Sequence, residues 1–212
     1  MRPEMQRLPF AMLSTTDLAC SRGERRLFAG LSFTIEAGEW LHVGGENGSG
    51  KTTLLRTLAG LSPADAGRVT WRGAEVVPDD PGYRRSLLYL GHQAALKDEL
   101  TPRENLRLGL AIDGFAANDA ALVEALACAG LAGCEDLAVR HLSAGQKRRV
   151  LLARVLLRPA DLWVLDEPFN ALDSDGCHLL GSLLADHLAV GGVAVLTSHQ
   201  PVPLRGGQEL TL

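Results

Sequence analysis

The sequence predicts an α/β fold: a mostly parallel sheet core covered by helices, with a flanking antiparallel β part and a small helical lobe. Three observations carry this expectation. Short apolar runs recur at Leu87–Leu90, Leu162–Leu165 and 193–197, the mark of strands buried on both faces, as parallel sheets require. They alternate with segments of helical periodicity, the order in which a parallel sheet is covered by helices. A glycine-rich loop, Gly45-Glu46-Asn47-Gly48-Ser49-Gly50-Lys51-Thr52-Thr53, joins a strand pattern to a helix pattern.

In chain order, residues 39–43 read as a strand running into that loop. Residues 52–61 then read as a helix with Leu54, Leu55, Leu58 and Leu61 on one face; Gly60 lies near its end and Pro63 bars its continuation. Residues 68–71, the pair Arg72-Gly73 and residues 75–77 read as a hairpin, the source of the antiparallel part. From 93 to 142 the pattern turns to Ala- and Leu-rich helical segments, with Pro102 near one helix start; this is the separate helical lobe. A further helix runs from Leu142-Ser143-Ala144-Gly145-Gln146 through Leu157 and stops at Arg158-Pro159. No internal repeat or low-complexity linker divides the chain, so 1–212 is expected to be a single domain, with length enough to bury a sizeable core.

Composition excludes several classes. The net charge of −4 gives no basic footprint for nucleic acid, so no nucleic-acid partner is expected. The longer apolar stretches are interrupted by Arg154 or by Gly191-Gly192, short of the ~18 residues a membrane span needs. The opening MRPEMQRLPFAML holds two Arg and a Glu around a short apolar patch, and reads as no secretory signal. Cys20, Cys128, Cys134 and Cys177 form no CxxC pair and have no His at ligand spacing, so reduced, isolated thiols are expected rather than a disulfide or metal centre.

The glycine-rich loop has the full phosphate-binding spacing in the required strand–loop–helix context. Its glycines let the backbone turn with amides inward at a positive helix end, a nest for phosphate oxygens. Lys51 would reach the β- and γ-phosphates of ATP, and the Thr52 hydroxyl would coordinate Mg²⁺. Asp166 and Glu167 follow the apolar run 162–165, where parallel strands deliver ligands to their C-terminal edge. Asp166 would hold Mg²⁺, directly or through water, and Glu167 would polarise the attacking water, since neighbours along a strand point to opposite sides. Ser143 and Gln146 have capping-box spacing. Two readings are open: a well-capped helix and nothing more, or a helix start, Ser143-Ala144-Gly145-Gln146, whose uncovered amides and Ser143 hydroxyl meet a γ-phosphate held by a second copy. Lys147, Arg148 and Arg149 read as a solvated helix face, with partner contacts as the alternative.

The glycine-rich loop, LSAGQ, the Leu165-Asp166-Glu167-Pro168 segment, Asn170-Ala171-Leu172-Asp173 and Ser198-His199, in that order, resemble the nucleotide-binding subunits of ABC transporters. The resemblance implies a P-loop NTPase of ABC ATPase type. It makes Gln93 the glutamine linking Mg²⁺ and the attacking water to the membrane partner, Asp173 a dimer-bridging residue, and His199 a catalytic contact to the γ-phosphate. Tyr89-Leu90-Gly91-His92-Gln93, Leu96-Lys97-Asp98-Glu99-Leu100-Thr101, Glu104-Asn105-Leu106 and the Ala144 of LSAGQ are similar to one branch, the ATPase subunits of the cytochrome c maturation (haem exporter) systems. A chain ending soon after His199, without a C-terminal regulatory domain, fits that branch too. The branch implies a second copy of the chain, an integral membrane permease subunit as partner, indirect contact with haem, and a peripheral place on the cytoplasmic face of the bacterial inner membrane. Where this family often stacks adenine on an aromatic residue, the sequence offers Arg22, whose guanidinium plane can stack on a base. Two other readings stay open: the ATPase of a different exporter of lipid or small molecules, and a soluble assembly ATPase using the same fold without transport.

Overall fold

In the computed structural model, residues 12–92 and 95–212 are described. The expectations for the extreme N-terminus and for Gln93 lie outside the described residues. Two sheets organise the chain. The first is antiparallel, in the order β2-β1-β4-β5, from β1 (Leu13–Arg22), β2 (Arg25–Ile35), β4 (Ala66–Trp71) and β5 (Ala74–Glu75). The second runs β6-β7-β8-β3-β9 and is parallel throughout: β6 (Leu87–Leu90), β7 (Leu162–Leu165), β8 (Val193–Leu196), β3 (Trp40–Gly44) and β9 (Gln208–Thr211).

The apolar runs form the centre of the parallel sheet, and every residue of β7 and β8 is buried. Their alternation divides the core in two, as period-two side chains must. Leu162, Val164, Val193, Val195, Leu41 and Val43 face α1 (Lys51–Leu58) and the antiparallel sheet. Trp163, Leu165, Ala194, Leu196, Leu88 and Leu90 face the opposite layer. That layer holds α3 (Pro102–Ile112), α4 (Asp119–Cys128), α5 (Ala144–Leu157) and α6 (Ser174–Ala189). Within it Trp163 stacks on the buried His187 of α6, ring centroids 4.1 Å apart.

Local chemistry sets the helix ends. The Gly60 and Leu61 amides bond back to the Thr57 and Arg56 carbonyls, closing α1 as a Schellman turn. α2 (Pro81–Ser86) begins at Asp80, whose carboxylate accepts from the Tyr83 amide. α3 opens with a complete capping box between Thr101 and Glu104, with Pro102 in its first turn, and Asn118 caps α4. The buried side chains of α3 and α4, Leu106, Leu110, Leu122 and Leu126 among them, share one apolar cluster with α5 and the sheet.

The expected hairpin forms, turned by Arg72 and Gly73, both with positive φ, but its return strand is Ala74–Glu75 rather than 75–77, with Thr70 opposite Glu75 and Trp71 opposite Ala74. The β1–β2 hairpin, α2, α6 and β9 had no counterpart in the sequence reading. β1 carries register irregularities between Thr15 and Leu18 and between Leu18 and Cys20, with Asp17 at φ 48°. A bulge adds a residue to one strand and breaks the alternation by which a strand is recognised.

Candidate active site

The glycine-rich loop lies between β3 and α1, and its geometry is fixed where the two meet. Gly50, the residue capping α1, has φ 113°, and a Cβ there would sit 3.0 Å from the Leu27 Cβ. No other residue fits both the conformation and the space. No side chain caps α1, so the first-turn amides at Lys51, Thr52 and Thr53 stay free for an anion at the positive end of the helix. Lys51 bends back over the loop, donating from Nζ to the Gly45 and Glu46 carbonyls at 2.7 and 3.0 Å. The Ser49 amide bonds to the Glu46 carbonyl, and Ser49 Oγ is buried without a partner. Asn47, Gly48 and Thr53 line the cleft above the loop.

Opposite the loop, one hydrogen-bonded chain organises two acids. The Thr52 hydroxyl donates to Asp166 Oδ2 at 2.8 Å, and the Thr197 hydroxyl donates to Asp166 Oδ1 at 2.8 Å. Thr197 Oγ1 also accepts from the Glu167 amide at 2.8 Å. Asp166 and Glu167 are 2% and 6% exposed, burial that demands satisfied lone pairs. Asp166 meets that demand. Glu167 meets it in part: Oε2 accepts from the His199 amide at 3.2 Å, while Oε1, 3.4 Å from His199 Nε2, has no hydrogen-bond partner. Glu167 lines the cleft while Oε1 itself is buried against His199; among the described residues it has no partner, which suits a group that takes a hydrogen bond once a water or substrate reaches it. Glu167 has φ 50°, a left-handed conformation that costs a non-glycine residue about 1–3 kcal/mol and turns the chain off the strand axis.

Loop, acids and His199 enclose a cleft of about 420 Å³. Arg22 and Arg25, paired in register at the end of the β1–β2 hairpin, wall its far side. The expected members Gly45 to Thr53, Asp166, Glu167 and His199 thus come together, and Gln93 lies outside the described residues.

Ser143 to Gln146 and Asp173 form a second group. The Ser143–Gln146 capping box is complete, with the Gln146 amide on Ser143 Oγ and the Ser143 amide on Gln146 Oε1. The box covers those two amides and not the ones between them, at Ala144 and Gly145. A Cβ at residue 145 would stand 3.0 Å from the Ala171 carbonyl oxygen, so glycine is also what lets α5 approach the loop before α6. Asp173 caps α6, accepting from the Gly176 amide at 3.0 Å, and pairs with Arg149 at 2.6 Å. The Arg149 guanidinium, then the Gly176 amide, hold the Asp173 carboxyl below its usual range.

The solvated face expected for Lys147, Arg148 and Arg149 is overturned. Arg148 is 6% exposed and donates to the Asp166, Glu167 and Pro168 carbonyls. Arg149 reaches the Ala129 carbonyl and Asp173, and Lys147 pairs with Asp98 at 2.8 Å. Helix α5 buries Val150, Leu151, Leu152, Ala153 and Val155, positions spread around most of the helix, which leaves no broad face for charge. That spread is visible in the sequence. Thr197 also escaped the sequence reading, because its link to both acids depends on the β7–β8 register, which pairs Leu165 with Leu196.

A glycine loop with free helix-start amides, a Thr–Asp pair at its edge and a buried Glu beside a His are the parts that a nucleoside triphosphatase site requires. The ABC transporter family model matches residues 28–170, and the chain belongs to that family as an ATP-binding, ATP-hydrolysing subunit. Among solved structures, it overlays a dimeric ATP-binding cassette in a post-hydrolysis state bound to ADP and Pi, with TM-score 0.80 and 25% identity over 95% of this chain and 94% of the other. A putative ABC transporter ATP-binding protein from Pyrococcus furiosus shares the fold, with TM-score 0.80 and 24% identity over 94% and 96% of the two chains.

The particular branch follows from curated relatives. The chain is 55% identical over 192 residues, 91% of each protein, to the cytochrome c biogenesis ATP-binding export protein CcmA of Salmonella typhi. It is 51% identical over 191 residues, 90% of each, to the protein of the same name from Escherichia coli K12.

Proposed function

We propose that residues 1–212 form a single ABC ATPase domain, with its helical lobe at about 93–142, and that it powers the export complex of cytochrome c biogenesis from the cytoplasmic face of the bacterial inner membrane. Its expected partners are an integral permease subunit and a second copy of itself, with haem touched only indirectly. The observation that carries the reading is the chain Thr52–Asp166–Thr197–Glu167 set beneath the free amides of α1.

In this reading the nest and Lys51 bind the phosphates of ATP, and Arg22 lies against the base. Thr52 Oγ1 and Asp166 Oδ2, 2.8 Å apart, are the oxygen donors a hard cation takes, with Gln93 added by resemblance. Among the described residues no cluster of three His, Cys, Asp or Glu side chains could hold a metal alone, consistent with a cation shared with phosphate oxygens. Bound there, Mg²⁺ would neutralise charge on the β- and γ-phosphates. Glu167 accepts a hydrogen bond from the attacking water through Oε1, the oxygen without a partner among the described residues, once His199 turns from it toward the γ-phosphate. His199 stands beside it to contact the γ-phosphate.

The partner copy lays its Ser143 to Gln146 helix start over that phosphate, Ala144 and Gly145 amides foremost, and Asp173 bridges the two copies. ATP favours this closed pair because only its γ-phosphate joins both copies; hydrolysis removes that bond and the pair opens. A groove of about 770 Å³ shares Thr52 and His92 with the nucleotide cleft. A permease segment seated in it would feel closure directly. No helix among the described residues is long and apolar enough to cross a membrane, so anchoring falls to the permease.

The test is a pair of variants. Lys51→Ala is expected to abolish ATP turnover, and Glu167→Gln to bind ATP, fall at least about 100-fold in kcat and run as a dimer in size-exclusion chromatography with ATP. Normal hydrolysis by Glu167→Gln would overturn the role given to Glu167. A deletion strain that keeps its c-type cytochromes would overturn the pathway.

A further inference from the structure

Helix α5 carries residues that address two different places. Its first turn, Ser143 to Gln146, is the exposed start that the dimer reading lays on the partner's nucleotide. Arg148, two residues beyond, points inward and is buried. Its Nε donates to the Pro168 carbonyl at 3.2 Å, and its Nη2 donates to the Asp166 carbonyl at 3.3 Å and the Glu167 carbonyl at 2.6 Å. All three acceptors belong to the turn in which Glu167 takes up its left-handed backbone conformation. Carbonyls in such a turn leave the strand ladder; among the described residues the turn itself supplies only the Asn170 amide, 3.2 Å from the Glu167 carbonyl. A guanidinium supplies several donors from one rigid plane, which a point-like ammonium cannot do. Glu167 is therefore held at both ends of its backbone: its amide by the Thr197 hydroxyl, and its carbonyl by Arg148 at 2.6 Å together with the Asn170 amide at 3.2 Å. Among the described residues its carboxylate has only the His199 amide as a hydrogen-bond donor, so the direction it faces is set by that backbone.

Burial draws the Arg148 pKa down, and the nearby charges of Asp166 and Glu167 oppose the shift. No carboxylate oxygen contacts the guanidinium among the described residues. The bonds run to backbone carbonyls, which is the pattern of a group that fixes a turn rather than one that neutralises an acid.

We infer that Arg148 is a positioning residue for ATP hydrolysis: its grip on the 166–168 carbonyls aims the Glu167 carboxylate, and its seat on α5 ties that aim to the helix start that meets the partner's nucleotide. The inference rests on the roles given above to Glu167 and to Ser143–Gln146. Each chain then passes one message inward. Contact made at the start of α5 with the partner's ATP is felt, through one side chain, at the acid that acts on the chain's own ATP.

The test compares Arg148→Lys with wild type as purified full chains. Lysine keeps the charge and the aliphatic stem and loses the planar donor set. Expected are a melting temperature close to wild type, unchanged affinity for a fluorescent ATP analogue, and a kcat about 10- to 100-fold lower, the size of effect a misplaced catalytic group produces. Arg148→Ala is expected to add a lower melting temperature to the same kcat loss. The decisive readout is single-turnover hydrolysis of radiolabelled ATP in the Glu167→Gln background, where Arg148→Lys is expected to cost nothing further. A kcat within twofold of wild type, a matching fall in nucleotide affinity, or a full additional loss in the Glu167→Gln background would each overturn the inference while leaving the role of Glu167 intact. Normal turnover by Glu167→Gln alone would remove both.

Discussion

Thr197 connects the two acids of the site with a single hydroxyl, donating to Asp166 and accepting from the Glu167 amide, in a position with 0% exposure. Valine there has the same shape and neither bond. It leaves a buried amide and a carboxylate oxygen each short of a partner, a penalty of about 1–3 kcal/mol apiece. Thr197→Val is expected to keep ATP affinity within about twofold and to lower kcat about tenfold or more, since a misdirected acid costs rate rather than binding. Steady-state kinetics beside an ATP titration check it, and an unchanged kcat would mean that Glu167 is aimed by something else. At this scale, legibility followed locality. Lys51, Thr52 and the glycines between Gly45 and Gly50 are readable because nest, cation ligand and helix start lie within nine consecutive positions. Thr197 and Arg148 act on residues far away in the chain, and nothing beside them announces it.

Helix starts were legible from local signals, Pro102 at α3 and the Ser143–Gln146 spacing at α5; the Thr101–Glu104 box at α3 emerged only in the structure. Contacts between elements were not legible. Arg158, 3% exposed at the end of α5, donates to Asp113 just beyond α3 and to the Arg84 and Arg85 carbonyls of α2, and lies over the Phe115 ring. Arg154 meets the same carboxylate at 2.6 Å. Asp113 thus holds two arginines and ties α3 to α5 and α2. Removing one partner of a buried ion pair is far more costly than losing an exposed one. Asp113→Ala is expected to destabilise the chain by about 2 kcal/mol, less than a fully buried pair because Asp113 remains partly wet. Thr101→Ala, which removes only an exposed helix cap, is expected to cost about 1 kcal/mol. Urea denaturation of the two variants orders them, and equal midpoints would show that Asp113 clamps nothing. The β1–β2 hairpin escaped the sequence reading for a related reason: its bulges at Asp17 and beyond serve packing against α1 and the antiparallel neighbours, at the expense of the two-residue period.

Across the whole molecule the two apolar layers leave the C-terminal edge of the parallel sheet open, and that edge collects the glycine loop, the acids and His199. The Ser143–Gln146 helix start is exposed, and in the dimer reading it serves the other copy. This makes a prediction about mixtures. Lys51→Ala and Ser143→Arg variants are each expected to be inactive alone. A mixed dimer, however, pairs the sound loop of one with the sound helix start of the other, so activity is expected to return on mixing. A mixture as silent as its components would argue that each chain hydrolyses ATP alone. What the residues settle by themselves is the chemistry at hand: phosphate binding, paired acids at a strand end, capped helices and an α/β order, because each depends on neighbours a few positions apart. Only the tertiary structure decides which distant groups those residues obey. The burial of Arg148 under the Glu167 turn, the bridging hydroxyl of Thr197 and the clamp at Asp113 arise from strand register and helix packing, which bring together positions that no local pattern links.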